Sequence, residues 1–320
     1  MSIFRAEPGA HPLSTAAVLV LFNPAEQPDA AIRALATHLG QLIVVDNTAA
    51  GHPALAGTTL PGNAVLLHNG NRGGLAGAYN RALQWIDSRE AVEGPRWQHL
   101  VFVDEDSDCS TLLAFMSDTR TLQAWLRPGT AAVAPAHRDR ATGLRARHVV
   151  LWRWHLCHLP REFDDAREVA FVINSMSVWS LAALRALGPY DEVLAVDHVD
   201  TDYCMRARRA GLKVILNGAC EFAHSIGERR AYRLFGWEMQ SGGHGPARRA
   251  MIGRNTAWLV RRYLLVEPAF GVLCLVRLAY EAVGIVVAED ARMRKLVQLG
   301  RGALRGLFGI GMAARGKDRT

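Results

Sequence analysis

Four short apolar runs follow one another in the first third of the chain, and polar residues come directly after each of them. The runs cover residues 16–22, 42–45, 65–67 and 100–103. An unbroken apolar run of this length is typical of a strand that is buried on both faces of a parallel sheet. We therefore predict that these four runs are strands of one parallel sheet.

Helical periodicity separates the predicted strands. Between the first two, Ile32, Leu35, Ala36 and Leu39 recur at the spacing of one helix face, and a second helix is expected over about residues 75–86. Strands that alternate with helices in this way indicate βαβ units. The prediction is an α/β fold in which helices flank a mostly parallel central sheet.

Polar side chains follow all four predicted strands. They are Asn23, Asp46, Asn69 with Asn71, and Asp104 with Asp106. Open parallel sheets bind their ligands beyond the carboxyl ends of the strands. We expect these side chains to meet at one edge of the sheet and to form a polar ligand site there.

The composition is that of a folded protein with an uneven charge distribution. Hydrophobic residues make up 50% of the chain and charged residues 21%, which excludes a disordered chain. Residues 1–245 carry 23 Lys and Arg against 25 Asp and Glu, a balance of −2, whereas residues 246–320 carry 14 against 5, a balance of +9. We predict a near-neutral domain over 1–245 and a basic helical region over 246–320. Nucleic acid is disfavoured as a partner because the domain is not basic and has no recognised binding module.

Few features of the sequence indicate the cellular compartment of the protein. The five cysteines form no C-x-x-C pair, and no basic flank leads into a long apolar segment at the N-terminus, so we expect a cytoplasmic protein without a cleaved leader. The most apolar stretch, residues 269–288, contains Arg277 and Glu281. Charges in the middle of a span are costly in lipid, which favours a helix that does not cross the membrane.

The first acidic motif is Asp104-Glu105-Asp106. Residues two apart in an extended segment face the same way, so Asp104 and Asp106 can present two carboxylates to one cation while Glu105 points elsewhere. Oxygen ligands suit Mg²⁺ or Mn²⁺ and leave coordination positions for substrate phosphates. A solvated acidic turn is the structural alternative, and the position of the motif at the end of a predicted strand favours the metal.

A second acidic cluster precedes a predicted helix. Asp200 and Asp202 lie near the start of that helix, where carboxylates are favoured by the helix dipole and by capping. A purely structural role is therefore one interpretation of both residues. The other is that Asp200, placed at the cap, faces the cleft and acts as a general base.

The order of the motifs along the chain carries more information than any one of them. They are Val44–Asn47, the loop Asn69-x-Asn71-x-Gly73-Gly74, Phe102–Ser107, Leu187–Glu192, Asp197-x-x-Asp200-x-Asp202, His224-x-x-Gly227 and Arg254-Asn255, spread over roughly residues 16–265. In this set and order the chain resembles the family 2 glycosyltransferases of the GT-A fold. It is similar in particular to the bacterial rhamnosyltransferase-like branch, which builds O-antigen and related cell-surface glycans.

The resemblance implies a role for each matching residue. The nucleotide would lie against Phe22, Asn23, Asp46, Asn69, Asn71, Gly73 and Asp104, with Asp46 hydrogen-bonded to the base. The metal, Mg²⁺ or Mn²⁺, would be held by Asp104, Asp106 and His224. Asp200 matches the family's catalytic aspartate, which deprotonates the acceptor hydroxyl.

These roles describe a single displacement with inversion at the anomeric carbon. Rhamnose from dTDP-L-rhamnose is the expected sugar, and a UDP-sugar such as UDP-galactofuranose or a non-catalytic sugar-nucleotide-binding subunit are the alternatives. The sequence departs from the family in its acceptor region, where Asn174-Ser175-Met176-Ser177 replaces the usual Ser-Gly pair, and at Glu105, where many relatives carry Gln.

The remaining candidates concern the acceptor. Arg248 and Arg254 are expected to contact the diphosphate or a phosphorylated acceptor, and Trp152 and Trp154 either stack on an acceptor sugar or are partly buried strand residues. The basic, amphipathic C-terminal region suits an anionic membrane surface at which a polyprenyl-diphosphate-linked glycan is presented. A helical pair packed on the domain, or a homodimer contact, is the alternative.

Overall fold

The structure of the chain is a computed structural model, and it describes residues 11–24, 28–55, 57–105, 107–140, 142–224, 230–234 and 237–311. The chain divides into two compact units. The first comprises Met1–Val149 and Leu159–Ser225, and the second comprises Val150–His158 and Ile226–Thr320. The division therefore differs from the predicted boundary at 245/246 in two ways: the second unit begins at Ile226, and it also includes the short segment Val150–His158.

The first unit is built on one sheet. Its strands are β1 (Thr15–Leu21), β2 (Gln41–Asp46), β3 (Ala64–His68), β4 (His99–Asp104), β5 (Thr130–Asp139), β8 (Ala166–Val169), β9 (Val178–Ser180) and β10 (Lys213–His224). The separate two-stranded sheet of β6 (Val149–Leu151) and β7 (Leu156–His158) belongs, except for Val149, to the second unit. The order in the large sheet is β3-β2-β1-β4-β9-β5-β10-β8. Only β9 and β8 run antiparallel to their neighbours. The predicted α/β fold, with helices flanking a mostly parallel central sheet, is confirmed.

Helices cover this sheet. They are α1 (Asp29–His38), α2 (Gly74–Glu93), α3 (Leu112–Ser117), α4 (Thr119–Trp125), α5 (Leu181–Leu187) and α6 (Val199–Arg209). The four predicted strands and the two predicted helices all occur. The residues of β1 are buried throughout, as the unbroken apolar run predicts, because both faces of a central parallel strand are covered.

The second unit is mainly helical. It contains the hairpin β11 (Arg230–Leu234) and β12 (Trp237–Ser241), followed by α7 (Pro246–Tyr263), α8 (Pro268–Ala288) and α9 (Arg292–Phe308). The predicted C-terminal helical extension is thereby confirmed. By length and apolar composition α8 is able to cross a membrane, and 28% of its most apolar stretch is buried.

Glycines bring α7 and α9 into close contact. A Cβ atom built on Gly302 would lie 2.0 Å from the Ala250 carbonyl oxygen, and one on Gly306 would lie 2.0 Å from that of Arg254. Only glycine permits two helix backbones to approach so closely. The inward face of α9 therefore combines these glycines with the buried Leu299, and the other large apolar side chains of α9 are at least partly exposed.

A buried ionic cluster joins the helices of the second unit. Arg249, which is 0% exposed, is hydrogen-bonded to Glu281, Glu289 and Ser241. Lys295 approaches the second oxygen of Glu289 at 3.0 Å. Arg249 and Lys295 thus neutralise the two acidic residues inside the unit. This pairing offsets the free-energy cost of burying carboxylates.

Candidate functional site

The polar residues that follow β1 to β4 meet at one edge of the sheet, as predicted. These four strands are neighbours and run parallel, so their carboxyl ends share that edge. Hydrogen bonds connect the ends to one another. The main-chain N–H of Phe22 donates to the Glu105 carboxylate at 3.0 Å, and that of Asn23 donates to the Thr48 hydroxyl at 3.0 Å.

Asp46 organises the turn after β2. One carboxylate oxygen accepts the N–H of Thr48 at 2.9 Å and the other accepts that of His52 at 2.9 Å, while Nδ1 of His68 lies 3.4 Å away. Burial on its own raises the pKa of Asp46, but the hydrogen bonds from Thr48, His52 and His68 outweigh it and hold the pKa below its ordinary value. Asp46 is therefore an ionised, structurally engaged carboxylate, and its contact with a base stays a prediction.

The asparagines of the Gly-rich loop form a network. Asn69 donates to the Asn47 side-chain oxygen at 2.7 Å and to the Arg72 carbonyl at 2.8 Å, and Asn47 donates to Asn71 at 3.3 Å. Asn71 has a φ of +55°, in the left-handed region that asparagine tolerates better than most residues. The loop is thus tied to the end of β2 and its backbone conformation is fixed.

The charges of Asp104 and Asp200 both act on one buried tyrosine. Burial raises the pKa of the Tyr79 hydroxyl well above its ordinary value, and the charges of Asp104 and Asp200 raise it further. Two carboxylates that are far apart in sequence therefore act on the same hydroxyl. The predicted metal-binding residue and the predicted base are thus both within electrostatic range of Tyr79 on α2.

Tyr79 belongs to an aromatic cluster that the sequence analysis missed. Its ring centroid lies 5.2 Å from that of Tyr190, and Tyr190 stacks on Tyr203 at 3.8 Å. Asn80, next to Tyr79, donates to the Tyr190 carbonyl at 3.0 Å and to Glu192 at 2.9 Å, and it accepts the Tyr190 N–H at 2.8 Å. The sequence signal was present in Asn80 and in the Leu187–Glu192 motif, but only the fold pairs them.

The start of α2 is capped by another part of the site. The Ala195 carbonyl oxygen accepts the N–H groups of Leu75 at 2.6 Å and Ala76 at 3.3 Å. Ala195 and His198 both have positive φ, +58° and +67°, and they shape the turn that leads into α6. Unpaired N–H groups at a helix start need such acceptors. The Gly-rich loop and the segment before Asp200 are therefore one connected structure.

Asp200 is the second residue of α6 and not its cap, which is His198. This corrects the predicted helix start, because His198, with its left-handed backbone, is the cap and the helix begins at Val199, one residue before Asp200. One carboxylate oxygen of Asp200 accepts the N–H of Thr201 at 2.7 Å. Its position among the acidic residues of a first helix turn is also favoured by the helix dipole.

The acceptor-region motif packs beside the acidic motif. The hydroxyl of Ser175 is hydrogen-bonded to that of Ser107, just after the acidic residues. Met176 has a φ of +62° and is completely buried. A left-handed backbone at this position explains why a glycine suits it, and here a methionine takes that conformation.

The metal ligands are only partly described. Asp106 lies outside the described residues. His224 ends β10 opposite Asp139, and its ring lies 6.2 Å from that of His137. Among the residues that the structure describes, no group of three His, Cys, Asp or Glu side chains is placed to hold one ion. Asp104 offers the oxygen donors that Mg²⁺ and Mn²⁺ prefer, and the predicted set of three depends on Asp106.

The remaining candidates belong to the second unit. Trp152 and Trp154 lie between β6 and β7, where they are 44% and 72% exposed, so the interpretation as partly buried strand residues is wrong. Trp152 stacks on His155 at 4.6 Å. Arg248 and Arg254 lie on α7, and Arg254 donates to Asn255 at 2.9 Å. Sugar or phosphate contacts of these four residues stay predictions.

Substituting Gly74 tests the connection between the loop and Ala195. Gly74 has a φ of +61°, and an added Cβ would lie 2.6 Å from the Ala195 carbonyl oxygen. Gly211, which follows α6, also has a positive φ of +75° but open space around it. Both alanine variants bear the left-handed backbone strain of about 1–2 kcal/mol. We expect Gly74→Ala to be further destabilised in denaturant unfolding and to bind nucleotide more weakly, whereas equal behaviour of the two variants would contradict the connection.

The chain was compared with known proteins at the level of sequence and structure. No family model matches it. It is similar to dTDP-rhamnosyl transferase RfbF of Shigella flexneri, with 30% identity over 90 residues that cover 28% of this chain and 29% of that protein. The chain thus spans less than a third of this curated relative.

Two solved structures resemble the fold. A crystal structure of GalNAc-T7 with UDP, GalNAc and Mn²⁺ aligns with a TM-score of 0.49 and 13% identity, over 83% of this chain and 54% of that one. A197 from STIV aligns with a TM-score of 0.38 and 12% identity, over 67% of this chain and 87% of that one. The local sequence match to a rhamnosyl transferase supports the resemblance to glycosyltransferases that the motifs indicate.

Proposed function

We propose that this protein is an inverting, metal-dependent glycosyltransferase that moves a sugar from a nucleoside diphosphate onto the hydroxyl of a lipid-linked or cell-surface glycan. The observation that supports the proposal is the edge of the sheet where the polar ends of β1 to β4 meet: Asp104 ends β4 there, and the charges of both Asp104 and Asp200 act on the buried Tyr79 hydroxyl. Asp104 would serve the donor diphosphate, and Asp200 would serve the acceptor hydroxyl.

The displacement needs a base and a stabilised leaving group. Asp200 would take the proton from the acceptor hydroxyl as its oxygen bonds to the anomeric carbon, a contribution of typically about 10²–10⁴-fold. The bond to the nucleoside diphosphate breaks at the same time. Asp104, with Asp106 and His224, would hold Mg²⁺ or Mn²⁺, which supplies charge stabilisation for the departing diphosphate.

The donor is proposed to be dTDP-L-rhamnose. The local similarity to a protein described as a dTDP-rhamnosyl transferase supports this choice. A UDP-sugar such as UDP-galactofuranose is the second candidate donor. A thermal-shift series of dTDP- and UDP-sugars with and without Mn²⁺ distinguishes the two, and NMR of the product anomer tests inversion.

Metal dependence of donor binding is a further prediction. We expect dTDP or UDP to raise the melting temperature more strongly with Mn²⁺ than without it, and Asp104→Asn to lose the Mn²⁺-dependent part because it removes a charged oxygen ligand. Glu105→Gln is the matched control, since Gln keeps an oxygen to accept the Phe22 N–H. An Asp104→Asn protein with the full Mn²⁺ effect would exclude Asp104 as a ligand.

Turnover by the unmodified chain tests the function itself, and Asp200→Asn tests the base. If the unmodified chain binds sugar nucleotides but neither transfers nor hydrolyses them, across a panel of acceptors and both metals, it is the non-catalytic subunit considered above. The proposed transferase requires turnover by the unmodified chain.

A further inference from the structure

Helix α8 keeps an apolar face away from the rest of the protein. Its most apolar stretch has a mean hydropathy of 2.0, yet only 28% of it is buried. The exposed apolar side chains recur at the three- and four-residue spacing of a single helix face. They are Val272, Leu275, Val276, Val283, Val286 and Val287.

Helix α9 has a similar outward face with an arginine edge. Met293, Val297, Leu304 and Phe308 are exposed by 74%, 45%, 57% and 66% and fall on one side of the helix, whereas its buried side contains Gly302 and Gly306. Arg294, Arg301 and Arg305 are exposed and follow each other at helical spacing along one edge of this apolar face. Apolar residues bordered by arginines are the pattern of a helix that lies in a membrane interface.

The two faces form one surface. A groove with a volume of about 400 Å³ runs between α8 and α9, and all of its lining residues are Leu, Ala or Gly. Leu275 and Ala279 of α8 and Gly300 of α9 line this groove. We name the exposed residues of both helices, together with the groove, the α8–α9 face.

Charge identifies the partner of the α8–α9 face. The acidic residues Glu281 and Glu289 are directed into the cluster around Arg249, and Asp290 pairs with Lys295 at 2.7 Å. The arginine edge of α9 is therefore the dominant exposed charge of the face, and it is positive. A positively bordered apolar surface complements anionic lipid, whose headgroup phosphates pair with arginine.

We propose that the α8–α9 face lies on an anionic lipid bilayer, with its apolar side chains among the upper acyl chains and Arg294, Arg301 and Arg305 on the lipid phosphates. The inference adds a location to the proposed transferase and is independent of the transfer reaction. It accounts for two helices that present large apolar residues outward while glycines form the inward contact of α9.

Vesicle co-sedimentation of the full chain tests this inference. We expect binding to vesicles of phosphatidylcholine with phosphatidylglycerol and much weaker binding to phosphatidylcholine alone. The triple variant Arg294→Gln, Arg301→Gln, Arg305→Gln should lose about a hundredfold in affinity for the anionic vesicles. Val276→Glu with Leu304→Glu should lose binding to both kinds of vesicle. Val92→Glu, which changes a residue that is 84% exposed on α2, is the matched control and should bind like the wild type.

Three outcomes overturn the inference. The first is wild-type affinity of the arginine variant for anionic vesicles. The second is a dimer in analytical ultracentrifugation that Val276→Glu with Leu304→Glu dissociates, without vesicle binding by the wild type, which assigns the face to a second copy. The third is resistance of the membrane-bound protein to alkaline carbonate, which assigns α8 to a membrane span. Circular dichroism checks that each variant is folded. A wild-type protein that binds vesicles but shows no transferase activity contradicts only the proposed function.

Discussion

Asp200→Asn is expected to lower kcat by about 10²–10⁴-fold while nucleotide binding stays at its wild-type value. Asparagine has almost the same shape as aspartate, and its side-chain oxygen still accepts the Thr201 N–H that Asp200 accepts at 2.7 Å. The start of α6 is therefore retained. What the variant lacks is a basic oxygen that can take the proton of the acceptor hydroxyl.

The measurement is initial-rate kinetics with the preferred donor, together with calorimetric titration of dTDP or UDP. Asp87→Asn is a suitable control, because Asp87 is an exposed carboxylate of α2 that pairs with Arg185 at 3.0 Å. A normal kcat in Asp200→Asn would exclude Asp200 as the base. A loss of nucleotide affinity equal to the loss of kcat would instead indicate a role in donor binding.

Arg249→Ala is expected to destabilise the second unit by about 3–5 kcal/mol. Arg249 is completely buried and is hydrogen-bonded to both Glu281 and Glu289. Removing the guanidinium leaves two carboxylates with Lys295 as their remaining cation in the cluster. Denaturant unfolding measures the change, and Arg277→Ala, at an exposed position of α8, should stay within about 0.5 kcal/mol of the wild type.

The same cluster predicts a pH dependence. Burial raises the pKa of Glu289, but Ser241, Lys295 and Arg249 outweigh burial and hold it below the ordinary value of 4.5. Because the folded pKa is lower than the unfolded one, the stabilisation is present above about pH 4.5 and disappears as the pH falls through the folded pKa. Unfolding free energies measured from neutral to acidic pH should therefore decline less steeply in Glu289→Gln than in the wild type. Identical slopes would contradict this role of Glu289.

The elements that the sequence predicted correctly are those with local signals. Strands β1 to β4 are unbroken apolar runs, and α1 has its apolar residues on one face, so each could be found without knowing its neighbours. The sheet edge followed from the parallel direction of those strands. The insertion of β9 between β4 and β5 has no local signal, because this strand has only three residues and pairs with strands that are distant in sequence.

The site was predictable to the same extent. Asp104 and Asp200 stand in motifs, whereas Tyr79 looks like an ordinary residue of a helix and becomes significant only through its neighbours. The role of Ala195 rests on a backbone carbonyl, which any residue provides, so sequence alone gives no indication of it. The segment around Trp152 joins the second unit through contacts that no periodicity encodes.

The Ala195 carbonyl has a kinetic consequence. It accepts N–H groups at the start of α2 beside the Gly-rich loop and stands just before the turn into α6, so a hydrogen-bonded connection links the loop to the segment that carries Asp200. We expect a donor bound on the loop to hold that segment in place before an acceptor arrives. The enzyme proposed above should accordingly show compulsory order, with the sugar nucleotide first to bind and the emptied nucleotide last to leave.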